Sequence, residues 1–306
     1  MTGVTRPVIS RGACVTKRQL PVPGYKNAMT YHDGELAMQQ RAGVRGLADQ
    51  VGRIIGSDFS AAAAAFVAAQ RFVITSTVAL DGTVKASIIG GHSGFAQPSD
   101  PRTLIMAPSF GLISAVMDDV DATGVIGVLA IDFTARRRVR VNGTARREGA
   151  RIVVTTREVY ANCPQYIRPR TPGEEVAAAS SAAHATTTLD ARQRATIEAA
   201  ETFFIATAHP ERGADASHRG GPAGFVTVES RRLTWPDYPG NNMFNTFGNL
   251  LVDPHCGLLF VDFERGTTIQ LSGDGVVRGD QSRVVELSIA TVIESTGAIP
   301  LRFVDR

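Results

Sequence analysis

Hydrophobic and polar positions in the first half of the chain predict a helix followed by a series of short strands. An Ala-rich stretch from Ser57 to Gln70 favours a helix, because alanine has the highest helix propensity and a Ser or Asp at the start can cap it. Residues 72–78 are rich in β-branched side chains and predict a strand. Asp81-Gly82 is typical of a hairpin turn. Further strand patterns occupy residues 84–90, 102–106, 125–133 and 138–146, with a helix predicted over 111–119.

The same pattern returns 130 residues later in the chain. Between positions 77 and 143, a shift of 130 residues gives 13 identical pairs out of 67 without a gap. Ordinary residue frequencies would give about 4. The identities cluster at glycines and strand ends, for example Gly90-Gly91 over Gly220-Gly221 and Asp132-Phe133 over Asp262-Phe263. The sequence therefore predicts an internal tandem repeat.

Each copy is predicted to form a small closed or partly open barrel, because it combines five or six short strands with one inserted helix. In the second copy, helices are predicted over 190–201 and 241–250, and strands over 203–207, 214–220, 232–236, 255–263 and 268–277. The predicted organisation is an extended N-terminal arm over 1–45, a first copy over 46–170, a linker over 171–188 and a second copy over 189–306.

Composition and charge exclude several classes of protein. The 306 residues are 43% hydrophobic and carry a net charge of +3, which excludes wholesale disorder and is too small to indicate nucleic-acid binding. Three scattered cysteines cannot build a disulfide scaffold and favour a reducing cytoplasm. No window approaches the ~18 apolar residues of a membrane span, and the basic residues 1–30 have no apolar signal-peptide core. We expect a cytoplasmic protein that binds neither nucleic acid nor membrane.

Some corresponding residues of the two copies differ in polarity. These differences indicate where one copy binds a ligand that the other does not. Arg219 of the second copy corresponds to the apolar Ile89 of the first. The second copy also carries Pro239-Gly240-Asn241-Asn242 at a predicted strand-to-helix junction, with Asn expected at the helix N-cap. An arginine beside a helix N-terminus suits a phosphate group. We therefore expect a phosphate-containing ligand in the second copy.

These residues give the chain a resemblance to a known family. The segment Asp215-Ala216-Ser217-His218-Arg219-Gly220-Gly221 resembles the Asp-x-Ser-x-Arg-Gly-Gly strand of pyridoxamine 5'-phosphate oxidase-like split-barrel proteins, which bind flavin nucleotides. Residues 236–242 resemble the Pro-Asp-x-x-Gly-Asn turn of that family, and residues 162–167 are similar to the segment after its last barrel strand. Residues 31–35 are similar to the opening of a longer tandem subgroup.

The resemblance implies a mainly β fold with helices (α+β), in which two tandem FMN-binding split β-barrels form a pseudo-dimer within one chain. FMN would lie in the groove between the barrels, and the phosphate site would belong to the second copy. The first copy would be degenerate because Ile89 replaces the arginine, so we expect one flavin per chain. The residues implied to bind the cofactor are Ser217, Arg219, Gly220, Gly221, Asn241, Asn242, Asn245, Cys163, Tyr166 and Arg168.

Other chemistry is only weakly indicated by the sequence. The histidines lack metal-ligand spacing, so no metal site is expected. The basic run from Arg136 to Arg140 is interpreted as a solvated strand edge, with a phosphorylated substrate as the alternative. No catalytic acid or base is assigned, and His218 and Tyr238 are candidates only for orienting a substrate.

The resemblance implies an FMN-binding oxidoreductase that transfers electrons between a reductant such as NADPH and a small substrate. Two alternatives stay open: a reductase that uses the deazaflavin F420 in the same groove, and a non-catalytic flavin- or haem-binding protein. The expected state is a monomer, as an intrachain pseudo-dimer, or a homodimer. Turnover of a reductant separates the enzyme from the carrier.

Overall fold

The computed structural model describes residues 31–176, 183–280 and 282–305. Residues 1–30 of the predicted N-terminal arm lie outside this part of the chain. The described residues of the arm are not extended: helix α1 (Asp33–Arg41) begins at a capping box formed by His32 and Glu35, and helix α2 (Arg45–Gly52) follows it. The prediction of an extended arm is therefore wrong for residues 33–41.

The first repeat, which we define as residues 46–170, forms one antiparallel sheet. Helix α3 (Ala61–Ala69) is capped by Ser60 and leads directly into the first strand. Helix α4 (Ile113–Thr123) lies between the fifth and sixth strands. The strands are β1 (Phe72–Val78), β2 (Val84–Gly90), β3 (Ala96–Asp100), β4 (Thr103–Met106), β5 (Phe110–Gly111), β6 (Val125–Asp132), β7 (Arg137–Glu148) and β8 (Arg151–Ala161). Their order in the sheet is β3-β4-β8-β7-β6-β1-β2-β5.

The second repeat, residues 189–306, has a sheet of the same order. Helix α5 (Ala191–Ala199) is capped by Asp190, and helix α6 (Asn245–Val252) corresponds to α4. The strands are β11 (Thr202–His209), β12 (Gly213–Gly220), β13 (Thr227–Val228), β14 (Arg232–Pro236), β15 (His255–Asp262), β16 (Thr267–Arg278) and β17 (Val284–Ser295). Their order, β12-β11-β15-β16-β17-β14-β13, matches the order β2-β1-β6-β7-β8-β4-β3 of the first repeat. The fold is thus mainly β with helices, as the sequence predicts.

The segment between the repeats is more ordered than a loose linker at its two ends. Strand β9 (Arg170–Pro172) pairs with the C-terminal strand β18 (Phe303–Asp305), and strand β10 (Ala183–Thr186) pairs with β17. Low sequence complexity concealed these two short strands, because their stability comes from pairing partners that are distant in the sequence. The end of the second repeat is therefore anchored beside the end of the first.

Each barrel has an apolar core of its own, and a third core joins the repeats. Ile88 of the first repeat and Phe204 of the second both belong to this shared cluster and are almost completely buried. Burial of a side chain of this size contributes about 1.5–3 kcal/mol to stability. Gly127 and Gly257, at equivalent positions, each approach the other repeat so closely that an added Cβ would lie 2.6 Å from Ala214 O and 2.7 Å from Val84 O, respectively. Glycine at these two positions therefore permits the close packing of the repeats.

None of the helices in the described part of the chain combines the length and apolar character required to cross a membrane.

Candidate functional site

A cavity of about 520 Å³ opens between the two repeats. The first repeat contributes strand β7 and the segment that follows β8, and the second repeat contributes β12, the loop before α6 and the start of β17. The walls include Arg138, Arg140, Asn162, Gln165, Tyr166, His218, Arg219, Gly220, Phe225, Tyr238, Asn241, Asn242, Phe244, Asn245, Thr246, Phe247 and Arg283.

One buried arginine of the first repeat connects the two halves at the base of the cavity. Arg140 donates from Nη1 to both carboxylate oxygens of Asp215, at 3.1 and 3.0 Å, and from Nη2 to Ser217 Oγ at 2.5 Å. It also donates to the Tyr160 hydroxyl and to Asn245 Oδ1, both at 3.2 Å. Burial opposes the charge, but Asp215 and Tyr160 outweigh it and raise the pKa of Arg140. Arg140 is therefore a neutralised structural cation.

Two other arginines at the cavity are less fully neutralised than Arg140, although the charges of Asp237 and Asp215 favour the charged form of Arg219. Among the described residues, neither Arg138 nor Arg219 forms an ion pair with a carboxylate, and Arg138 Nε has no hydrogen-bond partner. Burial lowers the pKa of Arg138 to about 9, with Arg140 adding repulsion. It likewise lowers the pKa of Arg219 to about 10. Two enclosed cations that share a cavity wall favour an anionic ligand, because an anion would supply the missing counter-charge.

His218 adds a neutral donor to this cationic wall. Burial and repulsion from Arg138 and Arg219 hold the pKa of His218 well below its usual value. Arg138 Nη1 lies 3.0 Å from His218 Nδ1, and because arginine only donates, Nδ1 must accept and the proton is assigned to Nε2. Within the described part of the chain, Nε2 has no partner. This buried N–H is therefore a polar group that the described residues leave unpaired.

A helix N-terminus completes the same wall. Helix α6 begins at Asn245, and its N-cap is Phe244 in the left-handed conformation, with no side-chain cap bond. Asn245, Thr246 and Phe247 all line the cavity. The first-turn N–H groups of a helix lack partners within the helix and attract anions. The prediction of an Asn N-cap at the Pro-Gly-Asn-Asn turn is wrong, because the turn continues for several residues before the helix starts.

Aromatic rings form the remainder of the cavity. Tyr166 of the first repeat stacks on Tyr238 of the second, with ring centroids 5.4 Å apart, and the Tyr166 hydroxyl donates to Pro239 O at 3.0 Å. Arg283 pairs with Asp237 at 2.8 Å and lies over the Phe244 ring. Flat apolar walls beside a cationic end suit a planar ligand that carries a phosphate.

Six of the ten sequence-predicted residues line this cavity: Tyr166, Arg219, Gly220, Asn241, Asn242 and Asn245. Two of them also have structural roles. Gly220 is required by a close approach, since an added Cβ would lie 2.0 Å from Tyr166 O. Asn241 Nδ2 donates to Asn162 Oδ1 at 2.9 Å and so links the second repeat to the first.

The other four predicted residues lie elsewhere. Ser217 is fully buried and is held by Arg140 and Thr246, behind the cavity wall. Gly221 packs against Phe225, and Arg168 pairs with Glu201 at 2.5 Å. Cys163 is partly exposed but does not line the cavity.

Sequence comparison identifies the second repeat. Residues 189–302 match the family model described as pyridoxamine 5'-phosphate oxidase. The second repeat is similar to this family over these residues, which make up less than half of the chain. This repeat supplies Arg219, His218 and the α6 N-terminus to the cavity. Among curated proteins, none matches the chain in sequence.

Several solved structures are similar to about a third of the chain. A candidate pyridoxamine 5'-phosphate oxidase from Lactobacillus delbrueckii has 16% identity and a TM-score of 0.30, over 35% of this chain and 94% of that one. The FAD binding protein from Mycobacterium smegmatis has 11% identity and a TM-score of 0.27, over 36% of this chain and 98% of that one. HupZ from Group A Streptococcus has 10% identity and a TM-score of 0.28, over 33% of this chain and 90% of that one.

Two arginines that line the cavity were not predicted as site residues from the sequence. Arg138 and Arg140 fall in the basic run that was interpreted as a solvated edge, and this interpretation is wrong for both, because strand β7 directs them towards the second repeat. Their spacing of two residues places them on one face of the strand, whereas Val139 between them is buried in the core of the first repeat and Arg137 before them is exposed. That alternation was the available signal.

Proposed function

We propose that the chain is an FMN-binding oxidoreductase of the pyridoxamine 5'-phosphate oxidase-like type, with its cofactor in the cavity between the repeats. The observation that carries the proposal is a pair of enclosed arginines, Arg138 and Arg219, which form no carboxylate hydrogen bond among the described residues and lie beside the N-terminus of α6. This arrangement fits a phosphate monoester, which accepts hydrogen bonds from several donors at once.

The residues present fit the rest of the cofactor as well. Arg138, Arg219 and His218 Nε2–H would hold the phosphate, and the N–H groups at the start of α6 would add donors. The aromatic walls at Phe225, Tyr238 and Phe247 would hold the flat ring system. FMN, when bound, supplies the redox chemistry, while the protein provides orientation and exclusion of water.

We propose a single cofactor per chain. At the equivalent position in the first repeat, Ile89 replaces Arg219 and is completely buried in the barrel core. Thr268 and Gln270 replace Arg138 and Arg140 on strand β16. Gln270 donates to Ala86 O at 2.8 Å and to Ser87 Oγ at 3.0 Å, so a neutral amide joins the two repeats there. The three positions equivalent to Arg219, Arg138 and Arg140 therefore carry no arginine.

No side chain is assigned as a catalytic acid or base. His218 would stay neutral at physiological pH because its pKa is low, so its proposed role is to donate one hydrogen bond. The proposed electron donor is a reduced nicotinamide such as NADPH, and the proposed acceptor is a small molecule. The tandem arrangement supports a monomer that already contains both halves of the groove.

Two measurements test the proposal. The visible spectrum of the purified chain, with the released ligand identified by mass, is expected to show oxidised flavin as FMN. Titration with riboflavin, which lacks the phosphate, is expected to give at least about tenfold weaker binding, because the arginine contacts are lost. A Soret band would indicate a haem protein instead, and binding of F420 without FMN would indicate the deazaflavin alternative. NADPH oxidation by the holo-protein separates an enzyme from a carrier.

A further inference from the structure

A second, much smaller cavity lies behind the wall of the main one. Its volume is about 20 Å³, enough for a single water molecule. Asn245 lines both cavities and so separates them. The small cavity is lined mostly by polar side chains, which include Glu35, His32, Glu158, Arg212 and Asp215. No group of three or more His, Cys, Asp or Glu side chains in the described ranges is arranged to hold a metal ion.

The amide of Asn245 is fixed from two opposite sides. Its Nδ2 donates to Glu35 Oε1 at 2.6 Å, and its Oδ1 accepts from Arg140 Nη1 at 3.2 Å. The first contact comes from the N-terminal helix α1 and the second from strand β7 of the first repeat. An amide held at both ends has one defined orientation. Glu35 and Arg140 therefore determine how Asn245 presents itself to the main cavity.

Helix α1 is attached to the same wall at two further points. Gln39 Nε2 donates to Met243 O at 3.0 Å, just before the start of α6. Gly34 and Gly248 bring the two helices into backbone contact, since a Cβ added at Gly34 would lie 2.2 Å from Gly248 O. The position of the first turn of α6, which faces the proposed phosphate site, therefore depends on the N-terminal helix.

Glu35 is the titratable group of this connection. Glu35 is 4% exposed, and burial, helped by the charges of Glu158 and Asp215, raises its pKa to about 8 against the lowering effect of the His32 N–H and Arg212. His32 beside it packs against His209 with tilted rings, and burial lowers the pKa of both histidines. Burial also raises the pKa of Glu158, so a proton on Glu35 at neutral pH relieves repulsion within a cluster of buried carboxyl groups that includes Glu158 and Asp215.

We propose that Glu35 is a positioning residue for the cofactor cavity, and that its protonated form holds Asn245 and the start of α6 in the arrangement that binds an anion. This inference rests on the proposed function. Ionisation of Glu35 adds a buried negative charge behind the anion-binding wall, so the affinity for a phosphate ligand falls as the pH rises through the pKa of Glu35. The effect acts through Asn245, because Glu35 does not line the main cavity.

The test is an FMN titration of the full chain at pH 7 and pH 9, in wild type, Glu35→Gln, Glu35→Ala and Asp33→Asn. Wild type is expected to bind about fivefold more weakly at pH 9, within the range expected for one nearby charge. Glu35→Gln, which resembles the protonated acid, is expected to bind equally at both pH values and therefore more tightly than wild type at pH 9. Glu35→Ala loses the bond to Asn245 and is expected to bind more weakly at both. Asp33→Asn changes an exposed acid on the same helix and is expected to follow wild type.

The outcomes separate the two proposals. A gain in affinity at pH 9 for Glu35→Gln cannot result from a damaged fold, so it supports the positioning role directly. If Glu35→Gln keeps the same pH dependence as wild type, the role of Glu35 is overturned while FMN binding stands. If wild type fails to bind FMN even at pH 7, the proposed function is overturned, and the inference that rests on it falls as well.

Discussion

The two grooves between the repeats are formed by equivalent strands but differ in the charge of the side chains that line them. On one side, Arg140 of β7 reaches Ser217 of β12, and on the other Gln270 of β16 reaches Ser87 of β2 with a neutral amide. One groove leaves a cavity of about 520 Å³. In the other groove, the completely buried Ile89 belongs to the core of the first barrel.

This difference teaches which side chains serve the fold and which serve a ligand. The serines at 87 and 217 and the glycines at 127 and 257 are present in both repeats and pack in equivalent places. Arg138 and Arg219 occur on one side only and lack carboxylate partners among the residues that the structure describes. If these arginines had only a structural role, they would lower the stability of the folded protein, because burial of an unpaired charge is unfavourable. A bound anion removes that cost.

The largest expected effect concerns the buried ion pair between Arg140 and Asp215, which joins the two repeats. Asp215→Ala leaves Arg140 buried without its carboxylate and is expected to lower the free energy of unfolding by about 3–5 kcal/mol. The equivalent Lys85→Ala is expected to cost about 1 kcal/mol, because Lys85 is more exposed and Asp119 keeps its bond to Thr77. Urea denaturation of both variants measures the difference, and equal losses would mean that the grooves are energetically alike.

The next-largest effects concern two equivalent positions, of which Arg219 is expected to serve ligand binding and Ile89 to serve stability. Arg219→Ala is expected to weaken FMN binding by about 10- to 100-fold while stability is kept, because one or two charge-assisted hydrogen bonds are lost. Ile89→Ala is expected to cost about 2–5 kcal/mol of stability through a core cavity, with unchanged FMN affinity in the folded protein. Fluorescence titration and thermal unfolding of both variants give the comparison. Equal affinities in the two variants would contradict the assignment of the phosphate site.

A smaller effect is expected from neighbouring arginines on one strand. Arg138→Ala removes the second enclosed cation and is expected to weaken FMN binding by about tenfold. Arg137→Ala is the matched control, since Arg137 is exposed and lies over the Phe66 ring, away from the cavity. The same titration checks both. A loss in Arg137→Ala as large as that in Arg138→Ala would point to a general charge effect.

The smallest expected effect is a pH dependence of stability that is caused by His32. His32 Nε2 lies 3.0 Å from Asn249 Oδ1. The residue of the first repeat that corresponds to Asn249 is Asp119, which pairs with Lys85 instead. Burial lowers the pKa of His32 to about 4, with His209 adding repulsion. The unfolded chain therefore binds this proton first, and stability present above pH ~6.5 is lost as the pH falls towards about 4.

His32→Asn keeps a capping side chain and removes that titration. Between pH 7 and pH 4, the free energy of unfolding of this variant is expected to fall by about 1 kcal/mol less than that of wild type. This figure allows for solvent screening of the partly buried ring. Urea denaturation at the two pH values is the measurement. Parallel losses in the two proteins would exclude a contribution from His32.

The fold was largely predictable from the sequence because the repeat doubled each local signal. Strand β1 lies where the β-branched run predicts it, and the cap of α5 is the predicted Asp190. Helix α1 was not predicted, because it is stabilised by contacts with α6, more than 200 residues away in the sequence. Such contacts leave no local pattern.

The candidate site was predictable only in part, for a related reason. Arg219 and Gly220 belong to a contiguous motif, so their placement at the cavity follows from local sequence. Arg138 comes from the other repeat, and its inward direction depends on the register of β7 rather than on its basic neighbours. Ser217 is part of the same motif but bonds to Arg140, so a motif alone does not separate a ligand contact from its support.

The most direct test of the account is the number of FMN molecules that bind per chain, measured by isothermal titration calorimetry on ligand-free protein. The account predicts one site per chain, abolished or strongly weakened by Arg219→Ala and retained in Ile89→Ala. Two sites of similar affinity would contradict the difference between the grooves, and the absence of any site would contradict the assignment of the cationic cavity to a flavin phosphate.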